Sequence, residues 1–412
     1  MITASEINAD SATQSSPVGS GAESDLSIEV CALNTSFRDR HSQSYQTWNQ
    51  LFEHDPQSHI QQHPDHVSAE VGQLPDGASR PLIMVTARRE ATVVGIAILI
   101  PKSESIRHFS QLIPAMSFSG YRMAGSRILG VHDDEVARAI LQACLASTKQ
   151  HRGRFLLIED LIEGSDLWRC CQSIEGQHGL FFLPEPPQKR LFIRFPKDVD
   201  YWSAFSSKSR WNFRRKIRKF GDHRLERVTD VSQLSVFLED AHRISQNSWQ
   251  TRSLGLRIRN DDAELKLFTF LALEGALRSY VLYHGDQPAA FLCGTQRNGY
   301  FDFGETAYDQ DLSHVSPGHV LILKILEDLI AENTPECLDF GEGDAEYKRI
   351  FGNDEANSAD VWLMPGGLMR GPLRWLSVSD RLFYRFADWC LNTLGIKDRV
   401  KKMLRRSTAA QK

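Results

Sequence analysis

Three short stretches in the second half of this 412-residue chain combine residue types that can do chemistry. The first is Ser316-Pro317-Gly318-His319-Val320. Proline suits the first turn of a helix, serine can cap it, and glycine lets a ligand come close to the backbone. A helix start offers free N–H groups and the positive end of the macrodipole, so this run can hold a phosphate or pyrophosphate. The second is Asp339-Phe340-Gly341-Glu342-Gly343-Asp344, followed by Glu346-Tyr347-Lys348. It sets a carboxylate inside an apolar strand, where a charge is costly unless paired, and two glycines just past the strand, where a ligand can meet the backbone. The third is Glu305, at the end of a strand over 300–304. A carboxylate there can serve as a base, whereas Asp302 alternates with it and is expected to face the opposite side.

A fourth stretch supplies charge. Residues 203–220 hold Lys208, Arg210, Arg214, Arg215, Lys216, Arg218 and Lys219 and no acid, with Phe205, Phe213, Ile217 and Phe220 at helical spacing. This reads as an amphipathic helix with one strongly positive side. The side is either a solvated face or a cradle for an anionic substrate, with Arg214 and Arg218 as contacts. One basic element with few aromatics is a weak nucleic-acid signature.

The elements that must position these residues follow a repeated order. Residues 82–87 and 92–100 form a β-hairpin, a loop leads to a helix over 133–150 capped by Asp133, and 155–158 is a buried strand. Later, 278–283 and 289–296 form a hairpin, 300–304 a strand, 319–333 a helix and 337–340 a strand. One supersecondary plan used twice argues for a duplicated α/β domain. The boundary falls at Pro184-Glu185-Pro186-Pro187, a stiff proline-rich segment. The first repeat has no Pro-Gly helix start, and acids at its helix start would repel a pyrophosphate. It is expected to be non-catalytic.

Composition is ordinary for a globular protein, with 41% hydrophobic residues, 24% charged residues and a net charge of −4. Seven cysteines show no spacing that suggests a disulfide framework or a zinc site. No run approaches the ~20 apolar residues of a membrane span. Residues 1–28 read as a disordered leader without a secretory core, and 29–70 as helices with loops. His59 and His63 lie four apart, the spacing of two metal ligands on a helix, but Pro64 is expected to break a helix there, leaving polar surface.

From Asp339-Phe340-Gly341-x-Gly343-Asp344-x-x-Tyr347-Lys348, preceded by Ser316-Pro317-Gly318 and a helix, the chain resembles the GNAT-type acetyltransferase domain of the CelD/BcsL group. That group is associated with cellulose and exopolysaccharide biosynthesis and is related to the FemAB peptidyltransferases. The basic segment from Ser207 to Arg218 fits the same pattern, and the stretch Trp48…Asp55-Pro56…Pro64 fits it more loosely. The resemblance runs over 45–365 and is specific around 316–351. It implies an α/β (α+β) fold of tandem GNAT domains with mixed, mostly antiparallel sheets: an N-terminal domain over 29–187 and a catalytic one over 188–365. It also implies transfer of an acyl group from acetyl-CoA or another acyl-CoA to an amine or hydroxyl of a glycan or lipid-linked saccharide. No metal is implied.

In that chemistry Glu305 is the base for the acceptor, Asp339 a second base or an orienting group, and Tyr347 the phenol that protonates the leaving thiolate. Ser316, Gly318, His319 and Val320 bind the donor, and Arg214, Arg218 and Lys348 the substrate. The common GNAT pyrophosphate loop has several glycines, and here Gly318 stands alone. FemAB relatives use aminoacyl-tRNA, which keeps that donor open, and nucleic acid enters only that way. A non-catalytic scaffold is the third reading. Residues 366–412 carry eleven Lys/Arg against three Asp, with Trp375, Leu382, Phe383, Phe386 and Trp389. That is the pattern of an amphipathic helix at an anionic membrane surface. The expected location is the cytoplasm, peripherally at the inner face of the membrane.

Overall fold

A computed structural model of the chain describes residues 26–33, 39–72, 80–106, 116–175, 179–248, 251 and 258–365. Residues 1–25 of the leader and the basic tail lie outside these residues, while 26–28, expected to be disordered, open a strand. The chain folds as two compact units, one running to Pro187 and taking up the chain again from Ala359, the other spanning Gln188–Ser358.

The first unit has strands β1 (Leu26–Leu33), β2 (Leu82–Arg89), β3 (Thr92–Ile106), β4 (Met116–Met123), β5 (Leu156–Ile162) and β6 (Gly179–Phe182). Its helices are α1 (Gln43–His54), α2 (Pro64–Gly72), α3 (Asp134–Gln150) and α4 (Asp166–Ser173). The second unit has strands β7 (Gln188–Arg194), β8 (His223–Val228), β9 (Ser279–His284), β10 (Gln287–Arg297), β11 (Tyr300–Tyr308) and β12 (Cys337–Glu342). Its helices are α5 (Ser207–Phe220), α6 (Leu234–Gln246), α7 (Asp262–Leu273), α8 (Pro317–Ala331) and α9 (Glu346–Phe351). The last strand, β13 (Asp354–Pro365), is divided between them.

The sheet of the first unit runs β1-β2-β3-β4-β5-β13-β6, and that of the second β8-β9-β10-β11-β12-β7-β13. Asp354–Ser358 pair with β7, while Trp362–Pro365 pair with β6. The sequence reading gives all of 354–365 to the second domain. The far half of β13 instead completes the first, because its alternating apolar residues bury against that unit: Val361 and Leu363 in its main core and Trp362, stacked on Phe155 at 4.4 Å, in a smaller one.

Two expectations for 29–70 change. Its start is the strand β1, paired along its length with β2. Pro64 opens α2 instead of breaking a helix, since a first-turn proline lacks only an N–H that would be unpaired anyway. His63 is buried, edge-on to Phe52 at 4.9 Å, and its Nδ1 accepts the N–H of Asp65. It is a core and capping residue, not polar surface.

In the second unit, Val320, Leu321, Ile325, Leu326 and Leu329 of α8 are buried with Tyr280, Leu282, Leu292, Phe301 and Phe303 of the sheet. Full burial of each such side chain contributes about 1.5–3 kcal/mol, so this face fixes α8 on the sheet. Arg278, itself buried, ties down the far end of the helix. Its guanidinium donates to the carbonyls of Glu332 (2.7 Å) and Asn333 (3.0 Å) and to Asp328 Oδ2 (3.0 Å), the favourable place for a cation.

Candidate active site

Strands β11 and β12 run parallel and pair only at Tyr300–Cys337, Phe301–Leu338 and Asp302–Asp339. Beyond that point β11 continues to Tyr308 and β12 to Glu342. The two strands part there, and the opening has two faces. Phe301, Phe303, Leu338 and Phe340 point to the α8 side. Period-two alternation sends Tyr300, Asp302 and Asp339 to the other side.

A β-bulge decides where Glu305 points. Leu292 pairs with Thr306 and Gly294 with Phe303, so Gly304 and Glu305 together face the single residue Cys293. A bulge of this kind turns both of its residues toward the side of the one opposite. Glu305 therefore shares a face with Cys293 and with Asp302, contrary to the alternation expected from the sequence. Gly304 is required because a Cβ there would lie 2.6 Å from the carbonyl oxygen of Cys293. Glu305 meets Glu264 of α7 and the backbone N–H of Ile258 on this face. Burial and then the charge of Glu264 raise its pKa, and the Ile258 hydrogen bond opposes them. The pKa of Glu264 is raised as well, chiefly by burial. A half-buried carboxylate that holds its proton more tightly than usual is a general base tuned toward neutral pH.

The start of α8 lies on the other side. Ser316 has φ 61° and ψ 50°, and its side chain makes no capping hydrogen bond. Pro317 occupies the first helical position, and the first turn has no acid. The N–H groups of His319 and Val320 both donate to the Ser316 carbonyl at 3.2 Å, so with no side-chain cap the Gly318 N–H is the first-turn donor left to another partner. Helix α5 packs beside α8 through Phe213, Ile217 and Phe220. It brings Lys219, whose Nζ donates to the His314 carbonyl at 2.6 Å. It also brings Lys216, whose charge acts on His319. Burial and then Lys216 lower the pKa of His319, and Glu346 opposes them. Arg214 and Arg218 are exposed instead. The cations beside the helix start are Lys216 and Lys219.

Asp339 is fully buried and heavily engaged. Arg190 donates to it through Nε at 2.8 Å and through a second nitrogen at 2.7 Å, Gly341 N–H donates at 2.8 Å, and the Tyr300 hydroxyl donates as well. Such a carboxylate orients its neighbours. Lys348 is buried too, and its Nζ donates to the carbonyls of Gly341 (3.0 Å) and Glu342 (2.6 Å). Both residues shape the end of β12, where Gly341 and Gly343 take φ 70° and 98°, a region that favours glycine. Tyr347 packs against Phe303 and Phe340 on the α8 side, and burial pushes its phenol up to about 12. It therefore keeps its proton at neutral pH.

This arrangement agrees with the family comparison, in which residues 207–349 match the model of the acetyltransferase (GNAT) domain. Residues 207–349 have the GNAT fold. A solved structure of FemX matches with a TM-score of 0.55 and 13% identity, over 81% of this chain and 98% of its own, a likeness of fold. Two others match at lower TM-scores. The C-terminal domain of a putative lysylphosphatidylglycerol synthetase from Agrobacterium fabrum gives 0.46 at 12% identity, over 69% and 85% of the two chains. A tandem GNAT protein from the clavulanic acid biosynthesis pathway gives 0.44 at 14% identity, over 82% and 99%. No curated protein matches the sequence.

The first unit repeats the GNAT element order, including the parallel pair β4–β5, so the fold is a tandem of GNAT units. At the place corresponding to the α8 start it is closed by its own side chains. Gln62, buried, donates to the carbonyls of Ala124 (3.3 Å) and Arg127 (2.8 Å), and Asp55 accepts the N–H of Gly130 at 2.8 Å. Strands β3 and β4 pair without a bulge. Sequence reasoning did not find Glu264, Arg190, Tyr300, Lys216 or Lys219 as site neighbours. A signal was present only for the lysines, within the basic run. Glu264 and Arg190 come from elements far away in the chain, and Tyr300, on the strand of Glu305, reaches Asp339 through the pairing of β11 with β12.

Proposed function

We propose that the second unit transfers an acyl group from acyl-CoA to an amine or hydroxyl of a cell-surface polysaccharide or its lipid-linked precursor. The observation that carries the donor assignment is the α8 start: a helix beginning with an uncapped Ser316, Pro317 and Gly318, free of acids and flanked by Lys216 and Lys219. GNAT domains take an acyl-CoA co-substrate, and its pyrophosphate suits such a helix start. The acceptor approaches from the Glu305 side. Glu305 takes the proton from the attacking N–H or O–H as the new C–N or C–O bond forms and the thioester C–S bond breaks. Tyr347 gives its proton to the departing thiolate on the α8 side. Asp339 and Arg190 hold the strands at the opening, and Lys348 holds the end of β12 without touching substrate. The first unit is non-catalytic, and the protein works in the cytoplasm at the inner face of the membrane.

Thermal shift with acetyl-CoA tests the donor. Stabilisation that is lost in Gly318→Asp supports the reading. Acyl transfer that requires aminoacyl-tRNA and ignores CoA would replace it with the FemAB-type reaction. A protein that responds to neither donor is a scaffold.

A further inference from the structure

The side of α5 that points away from α8 has no role in donor binding, yet it is densely positive. At 100° per residue, Lys208, Trp211, Arg214, Arg215 and Arg218 fall within an arc of about 120°, opposite the stripe of Phe213, Ile217 and Phe220 that packs into the core. All five are exposed, and the helix has no acid. Trp211 sits near the middle of the arc, 52% exposed, with the Arg215 guanidinium 5.2 Å from its ring centre. An indole exposed on a charged face keeps apolar surface in water, which is unfavourable unless a partner covers it. An indole ringed by cations on long flexible stems is the composition that suits a membrane interface. There the ring sits at headgroup level and the stems lie along it while their charges meet lipid phosphates.

We infer that this arc of α5 is a docking surface for an anionic lipid bilayer. Charge complementarity selects the partner. Four cations with no ion-pair partner among the described residues need a dense negative surface, and a single aromatic gives insertion at one point, not the row of stacking rings along which a nucleic-acid strand is read. Docking through the outer arc leaves the inner flank of the same helix, Lys216 and Lys219, at the α8 start. A bilayer held by α5 thus places the proposed donor site next to the membrane surface, where a lipid-linked acceptor resides. The surface assignment does not depend on the donor reading.

Co-sedimentation of the full chain with vesicles tests it, using phosphatidylcholine alone against phosphatidylcholine with about 30% phosphatidylglycerol. We expect binding at least tenfold stronger to the anionic vesicles and weaker as salt rises, because the attraction is screened within a Debye length. Trp211→Ala should weaken it severalfold, and the triple variant Arg214→Glu, Arg215→Glu, Arg218→Glu should reduce it to the level of neutral vesicles with an unchanged melting temperature. Gly318→Asp, which removes CoA binding on the reading above, should leave vesicle binding intact. Equal binding to both vesicle types overturns the inference. So does full retention in the triple variant, which would assign the attraction to the basic tail. Displacement from vesicles by low concentrations of RNA overturns it in favour of a nucleic-acid surface.

Discussion

Helix α3 begins with Asp133 as its cap and Asp134 and Glu135 in its first turn, and Arg89 pairs with Asp133 at 2.8 Å and Glu135 at 3.3 Å. Helix α8, at the same point of the other unit, begins with an uncapped serine, a proline and no acid. The preceding loops differ in the same sense: Asp55 and Gln62 satisfy backbone groups in the first unit, and no side chain caps Ser316 in the second. Where the strands part, the units agree. Each has a largely buried arginine on a carboxylate of a neighbouring strand, Arg122 of β4 with Glu159 of β5 (and with Glu70 of α2) in one and Arg190 of β7 with Asp339 of β12 in the other. A duplicated fold has therefore kept the brace that holds its strands and changed the helix start. Bracing is a requirement of the sheet, whereas an open helix start is useful only with an anion to fill it.

The largest effect expected from breaking this comparison is at the shared brace. Asp339→Asn leaves the Arg190 guanidinium buried without its counter-charge and should lower stability by about 3–5 kcal/mol, read by calorimetry. A change below ~1 kcal/mol would mean that the pair is dispensable. Next comes the β10–β11 bulge, which has no counterpart in the β3–β4 pair of the first unit. Glu305→Gln should lower kcat by about 10²–10³-fold with little change in KM. The pH profile sharpens this. A base works deprotonated, so kcat/KM should rise with pH through a pKa above the ordinary glutamate value of about 4.3. Because Glu264 raises that pKa, Glu264→Gln should shift the rising limb to lower pH. A limb that does not move removes the coupling.

Gly318→Asp gives α8 the acidic start of α3 and should weaken acetyl-CoA binding by roughly a hundredfold, about 2.7 kcal/mol, in calorimetric titration. Unchanged affinity would place the donor elsewhere. Tyr347→Phe should lower kcat by about tenfold, the low end for an acid supplied to a good leaving group. The smallest effect is the converse exchange. Replacing Asp134 and Glu135 by Asn and Gln should create no CoA binding in the first unit, since Asp133 still caps the N–H of residue 135 and keeps its negative charge there. A second CoA equivalent in titration would show that the acids alone separate the two units.

Much of this was legible in the chain itself. Apolar alternation located both hairpins, and the period of Val320, Leu321, Ile325 and Leu329 located α8. The Pro-Gly helix start and Asp339 with its glycines stood out because each residue type has a local physical reason. Asp339 and Lys348 were found but their partners were not. Arg190 lies 149 residues from Asp339, and the carbonyls that Lys348 holds belong to a backbone turn that no residue type announces. Glu264 carries no signal, because an acid near a helix start reads as ordinary first-turn chemistry.

What the sequence determined by itself is the set of elements, their repetition and the helix start that can hold an anion, since these rest on interactions within a few residues. What only the tertiary structure decided is which face each group serves. One residue of bulge between Leu292 and Gly294 on β10 turned Glu305 to the side of Asp302 and Glu264. The packing of Phe213 and Ile217 turned Lys216 and Lys219 toward α8 and left Arg214, Arg215, Arg218 and Trp211 outside. A strand alternates and a helix rotates by fixed steps, so a single residue of register or a single packed face changes what every neighbouring side chain meets.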